Sequence, residues 1–146
     1  MHDHEPHWRA LERIYLRAPT NEYYQPAIRI GHAESEIRIT ARPDFHHAAH
    51  AVHGSVYFKL LDDAAFFAAN SLVPEAFVLT SNFTIHLLRP VVEGIMVAKG
   101  RVVHATARQF VAEAHLYDAG DRLVAQGVGT FVRSKLPLAG SDGYDE

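Results

Sequence analysis

The segment SVYFKLLDDAAFFAAN, from Ser55 to Asn70, constrains this chain more than any other. It has no Gly or Pro and no strict alternation, and its length predicts a helix of about four turns. Val56, Tyr57, Phe58, Leu60, Leu61, Ala64, Ala65, Phe66 and Phe67 cover nearly every side of that helix. A helix that is apolar all round has to be enclosed by other elements. With 146 residues there is room for one domain, so the enclosure must come from the rest of the same small unit. A sheet curled around a single helix is the economical way to provide it.

The flanking sequence supplies the strands. Residues 7–17 place Trp8, Leu11, Ile14 and Tyr15 at helical spacing, with Pro6 suited to a first turn and Pro19 ending the pattern. Short alternations follow at 27–30 and 36–41, separated by Gly31-His32-Ala33, and read as two strands or one bent strand. After Pro74 come VLTSNFTIHLLRPV, IMVAKGRVVHATA, RQFVAEAHLYD and RLVAQGVGTFVRS, with Asp118-Ala119-Gly120-Asp121 as a hairpin turn. Three or four of these runs in sequence are expected to form an antiparallel meander. The fold class is therefore α+β, a curved antiparallel sheet wrapped around a long central helix. The expected divisions are an N-terminal helix and lead-in over 1–25, the main domain over 26–133, and a polar, flexible tail over 134–146.

Composition narrows the function. The chain is 48% hydrophobic and 21% charged, which argues against disorder. A net charge of −3 offers no basic field for a nucleic-acid backbone, so no nucleic-acid partner is expected. There is no cysteine, which removes disulfides, thiolate nucleophiles and iron–sulfur ligation together. The opening residues lack the pattern of a secretory signal, and no apolar run approaches the roughly 20 residues of a membrane span. A cytoplasmic location without membrane partners is the expectation.

Lys59, Asp62 and Asp63 interrupt the apolar helix. A carboxylate in apolar surroundings costs free energy unless paired, and its pKa rises toward the range useful to a general base. The two aspartates point about 100° apart, so one faces a cavity while the other reaches a nearby cation, or both lie on a polar stripe with Lys59. His53-Gly54-Ser55 precedes the helix, where free N–H groups and the macrodipole favour negative charge. Gly54 permits close approach to the backbone, as an oxyanion hole requires. The alternative there is an ordinary loop with Ser55 as helix cap.

The stretch HAAHAVHGSVYFKLLDDAAFFAAN resembles the signature of hotdog-fold acyl-CoA thioesterases, specifically the phenylacetate-degradation type within the 4-hydroxybenzoyl-CoA thioesterase superfamily. That pattern has an Asn six residues before a His-Gly-Gly at the start of the central helix, and an Asp eight residues past the first Gly. His53-Gly54 and Asp62 match it, and Thr80 falls where the family often places a Ser or Thr. TSNFTIHLLRP and LVAQGVGTFV resemble later family strands, so the likeness covers roughly 26–133. His47 stands in place of the Asn and Ser55 in place of the second Gly. The resemblance implies hydrolysis of an acyl-CoA thioester without a cofactor. Asp62 would act as base or nucleophile and the Gly54 N–H as oxyanion donor, with His53, His47 and Thr80 completing the site. It also implies substrate contacts from Ser55, Phe58, Leu61 and Phe66, and phosphate contacts from Arg89, Arg108 and Arg133.

Gly54 and Asp62 lie about 12 Å apart on one helix at 1.5 Å per residue, whereas an oxyanion donor and a base must both stand about 3 Å from the reacting group. Two copies of the helix running antiparallel about a two-fold axis would bring them together, so a homodimer, or a tetramer built from it, is expected. Three other readings compete. His46, His47, His50 and His53 have gaps that metal sites also show, but no motif such as HExxH accompanies them, and no metal is expected. A hydratase or dehydratase on the same fold is the second. A non-catalytic acyl-CoA-binding module is the third, and a buried carboxylate at position 62 argues against it.

Overall fold

The structure, a computed structural model, describes residues 3–146. Helix α1 (Glu5–Arg17) and the short α2 (Thr20–Tyr24) lead into a hairpin of β1 (Ala27–Gly31) and β2 (Glu34–Ala41). A 3-10 turn at Pro43–Phe45 and a histidine-bearing loop precede the long helix α3 (Gly54–Asn70). Strands β3 (Ala76–Leu87), β4 (Gly94–Ala105), β5 (Gln109–Tyr117) and β6 (Leu123–Pro137) follow. The expected lead-in over 1–25 holds α1 and α2, and its first two residues lie outside those described.

All six strands form one antiparallel sheet in the order β1-β2-β4-β5-β6-β3. It curls around α3, which touches every strand. Leu60, Leu61, Ala64, Ala65 and Ala68 are fully buried beneath Ile37, Met96, Ala98, Ala112, Ala114 and Phe131. Small residues let helix and sheet approach closely. A Cβ at Gly100 would stand 2.3 Å from the Ala64 carbonyl oxygen, so only glycine fits there. The same carbonyl accepts from the Ser35 hydroxyl at 2.6 Å, which ties β2 to the middle of the helix.

Of the three or four runs expected to form a meander, three do. β4, β5 and β6 form a meander, but β3 leaves α3 and pairs with β6 at the far edge. The helix crosses the sheet before β3 begins, so the chain emerges at the side away from β2. The return segment is then held across the sheet end, where the Leu88 and Arg89 N–H groups both donate to the Val124 carbonyl.

At the other end α1 closes α3. The His7 imidazole bonds the Asn70 carbonyl at 2.9 Å and the Trp8 indole N–H donates to the Ser71 carbonyl at 3.2 Å, which satisfies carbonyls that a helix end leaves free. The Asn70 side chain then binds the carbonyls of Val73 and Ala76 and the N–H of Val78, starting β3.

The tail differs from its expectation. The boundary at 133 falls inside β6, and residues beyond it lie against α1: Leu138 is buried and Arg13 donates to the Gly143 carbonyl at 2.7 Å. Its polarity is real, but Leu138 and Tyr144 give it an apolar anchor that composition alone conceals. Among the described residues no helix is long and apolar enough to cross a membrane.

Candidate active site

The start of α3 is built by the residue before it. His53 is extended, and its Nδ1 accepts the Ser55 N–H at 3.0 Å, while the Ser55 hydroxyl also lies 2.8 Å from Nδ1. The cap is therefore the His53 imidazole, not the Ser55 hydroxyl weighed from the sequence. With Nδ1 accepting, the neutral ring carries its proton on the exposed Nε2. The Val56 N–H bonds the His53 carbonyl at 3.0 Å. Among the described residues none accepts from the Gly54 N–H, leaving a donor at the positive end of a 17-residue helix.

A cavity of about 360 Å³ opens beside Gly54, lined by His47, Val52, Tyr57, Leu87, Arg89 and Pro90 among others. A Cβ on Gly54 would meet the Leu87 side chain at 3.0 Å, so the glycine keeps this opening free. The Tyr57 hydroxyl donates to the Arg89 carbonyl at 2.8 Å and fixes the loop that carries Arg89 along the rim. His47 is exposed, its Nδ1 accepting the Ala49 N–H at 3.0 Å and its ring 6.4 Å from that of His53.

Asp62 lies two turns farther along α3. Its Oδ1 accepts the Thr80 hydroxyl at 2.9 Å from β3. Thr80 shares its face of β3 with buried Val78, and a register shift between Thr80 and Asn82 brings Phe83 onto that same face. Burial pushes the Asp62 carboxyl up to about 6; the Thr80 bond and Lys59 oppose that rise while the charge of Asp63 adds to it. Asp63 has a different environment, its Oδ2 accepting the Tyr15 hydroxyl at 2.7 Å and Lys59 Nζ at 2.8 Å. Of the two adjacent carboxylates, one is a half-buried base candidate and the other an ion-paired anchor.

Phe58 and Phe66 sit one turn on either side of Asp62. Phe58 is 40% exposed and meets Phe83 edge-on at 5.7 Å between centroids; Phe66 packs edge-on against Phe131 at 6.1 Å. Leu61 requires a correction. It is 0% exposed on the sheet side of α3 and packs in the core, so it has no surface to offer a substrate. Arg108 and Arg133 stand elsewhere as well. Arg133 pairs with Val78 on β3, nine residues or about 30 Å of strand from Leu87, and is held by Glu75 and by the Ala107 carbonyl. The Arg108 carbonyl accepts from the Arg133 N–H in the same corner. Arg89 is the cation beside Gly54. The loop histidines bond backbone groups, His46 reaching the Val92 carbonyl at 2.9 Å. Among the described residues no three His, Asp or Glu side chains stand close enough to hold a metal ion.

Sequence reasoning missed Tyr57, Leu87 and Phe83. A hydroxyl on an otherwise apolar helix was a signal for Tyr57, whereas Leu87 and Phe83 depend on where β3 lies.

The family model of the thioesterase superfamily matches residues 49–125, more than half of the chain. This chain belongs to that superfamily. Its six-stranded sheet around one long helix is the hotdog fold of thioesterase-superfamily structures, as the resemblance implied. The matched span of this superfamily member includes Gly54, Asp62, Thr80 and Arg89. A curated relative, named a "putative esterase" of Saccharolobus solfataricus, is 31% identical over 81 residues, covering 56% of this chain and 54% of its own. The chain thus matches about half the length of that relative. A conserved protein of Pseudomonas aeruginosa has a TM-score of 0.78 at 27% identity, over 84% of this chain and 98% of that one. The PaaI protein from the phenylacetic acid degradation operon of Escherichia coli has a TM-score of 0.83 at 20% identity, over 91% and 96%. That last likeness is one of fold.

Proposed function

We propose that this superfamily member hydrolyses an acyl-CoA thioester to the free acid and CoA, in a homodimer whose two sites each combine residues of both protomers. The observation that carries the reading is Asp62, a half-buried carboxyl held by Thr80 and raised to about 6 by burial. A base with that affinity is ionised at neutral pH yet able to take a proton from water. As general base it would remove that proton while the water oxygen attacks the thioester carbon. As nucleophile it would attack the thioester carbon, break the C–S bond and expel the CoA thiolate, and water would then cleave the resulting anhydride to the free acid and the Asp62 carboxylate. In both routes the carbonyl oxygen gains charge, and the Gly54 N–H would receive it at the helix start.

The dimer follows from distance. Gly54 and Asp62 are about 12 Å apart along α3, too far to act on one carbonyl. β3 is an edge strand, and Leu79 and Leu87 on it are 43% and 56% exposed. A second copy paired antiparallel along that edge would cover these residues and bring each Asp62 toward the partner's Gly54. The acyl group would then lie against Phe58, Phe66 and Phe83, with Ser55 beside the thioester. His47 and Thr80 would orient the water or the carboxylate, and Arg89 would meet a CoA phosphate.

The test is thiol release from a panel of acyl-CoAs by wild type and by Asp62→Asn. Turnover of at least one acyl-CoA that Asp62→Asn abolishes is the expected outcome. A wild type that binds acyl-CoA but releases no thiol would return the chain to the binding-module reading.

A further inference from the structure

Beside Asp62 stands a charge assembly that hydrolysis leaves unused. The Lys59 ammonium donates to Asp63 Oδ2 at 2.8 Å and lies over the rings of Tyr24, at 4.7 Å, and Tyr15, at 5.3 Å. The Tyr15 hydroxyl completes it from α1, donating to the same Oδ2 at 2.7 Å. With side chains only 13% and 20% exposed, Lys59 and Asp63 differ from an ordinary helical surface pair, which water screens. Helices α1 and α3 both donate to one carboxylate oxygen, and that carboxylate is the sequence neighbour of the proposed base.

Two carboxylates so close in partly buried surroundings oppose each other's ionisation. An uncompensated Asp63 would push Asp62 toward its protonated form and reduce the share of base at neutral pH. We propose that Lys59 is a positioning residue for the reaction: pairing with Asp63 and drawing it against Tyr15, it cancels the second negative charge at Asp62. The proposal rests on Asp62 being the base. The groups that act on Asp62 are Thr80 from β3, Asp63 and Lys59 from α3, and Tyr15 from α1 through Asp63. Thr80 and Lys59 favour its ionised form and Asp63 disfavours it. Lys59 and Asp63 therefore work as a compensated pair, and burial with the Thr80 bond is left to set the basicity of Asp62.

The whole protein labelled with carbon-13 at aspartate carboxyls provides the test, with the Asp62 signal assigned by its loss in Asp62→Asn. Lys59→Met should raise the Asp62 titration midpoint by about half to one pH unit, and Asp63→Asn should lower it by about half a unit. The decisive variant is the double, Lys59→Met with Asp63→Asn, which should return to within about 0.2 unit of wild type. The acid limb of thioester hydrolysis should move in step. A merely structural pair would show no such return, because the double variant dismantles more of the assembly than either single one. An unmoved midpoint in Lys59→Met, or a double variant displaced as far as Lys59→Met, overturns the proposal. Should Lys59→Met fail to fold, Tyr15→Phe removes one hydroxyl and should raise the midpoint by about 0.2–0.3 unit, with no rise counting against it. Since the midpoint is read without turnover, absence of Asp62-dependent thiol release would sink the hydrolytic reading separately.

Discussion

At the β1 edge of the sheet, Glu12 Oε2 accepts the Ile30 N–H at 2.8 Å and Arg9 donates to the Ile30 carbonyl, so side chains of α1 occupy backbone groups there. At the β3 edge, among the described residues, no hydrogen bond from outside β6 reaches the backbone of Leu79–Leu87. The longer edge is thus the unfinished one, although an exposed edge invites pairing with another chain. The two carboxylates of α3 divide the same way. Asp63 is tied to α1 on the closed side, and Asp62, among the described residues, accepts a hydrogen bond from Thr80 of the open strand alone. Where the chain completes itself its polar groups are engaged within the fold; where it does not, they remain open to a partner.

If the open edge completes the site, blocking it should have the largest effect. Leu79→Glu with Leu87→Glu places two charges on β3 and should give a single-chain mass by light scattering, with thioester hydrolysis falling to background. A dimer that survives, or a monomer that remains active, would remove the composite site.

The carboxylate pair comes next. Asp62→Asn should lower kcat by about 10²–10⁴ while acyl-CoA still binds, and Asp63→Asn should lower it at pH 8 by about threefold or less. Stability should move oppositely. Asp62 has a higher pKa folded than unfolded, so its ionisation opposes folding increasingly between pH 4 and pH 6, and by a constant amount above pH 7. Asp62→Asn should match wild type in urea unfolding below pH 4 and exceed it by about 2–3 kcal/mol above pH 7. An equal gain at all pH values would mean the carboxyl is not buried in the protein as it occurs in solution.

His47 tests the rim of the open side. His47→Ala should lose about tenfold in kcat/KM, and His47→Asn should retain activity. An unchanged rate in His47→Ala would make it a loop residue only.

The smallest effect belongs to the closed edge. Glu12→Ala frees the Ile30 N–H and should cost about 1–2 kcal/mol of unfolding free energy, read from the urea midpoint, without change in KM. A loss of activity at constant stability would show that the β1 edge is not merely closed.

What the sequence by itself determined is local. The apolar run from Ser55 to Asn70 dictates one enclosed helix, because its nonpolar residues leave no side for water. The same run exposes Asp62 and Asp63 as exceptions, and the His53-Gly54 spacing places a glycine at the helix start. Pattern could not say which aspartate faces which way, because the answer depends on Tyr15, 48 positions from Asp63, and on Thr80, 18 positions from Asp62. Nor could it separate Leu61 from Phe58: both are apolar on the same helix, and only the sheet's path makes one core and the other surface. The place of β3 beside β6 was likewise decided by tertiary structure. A strand's own residues specify its extended form and its faces, but its neighbour is set by where the preceding helix delivers the chain and by which edge is still unpaired.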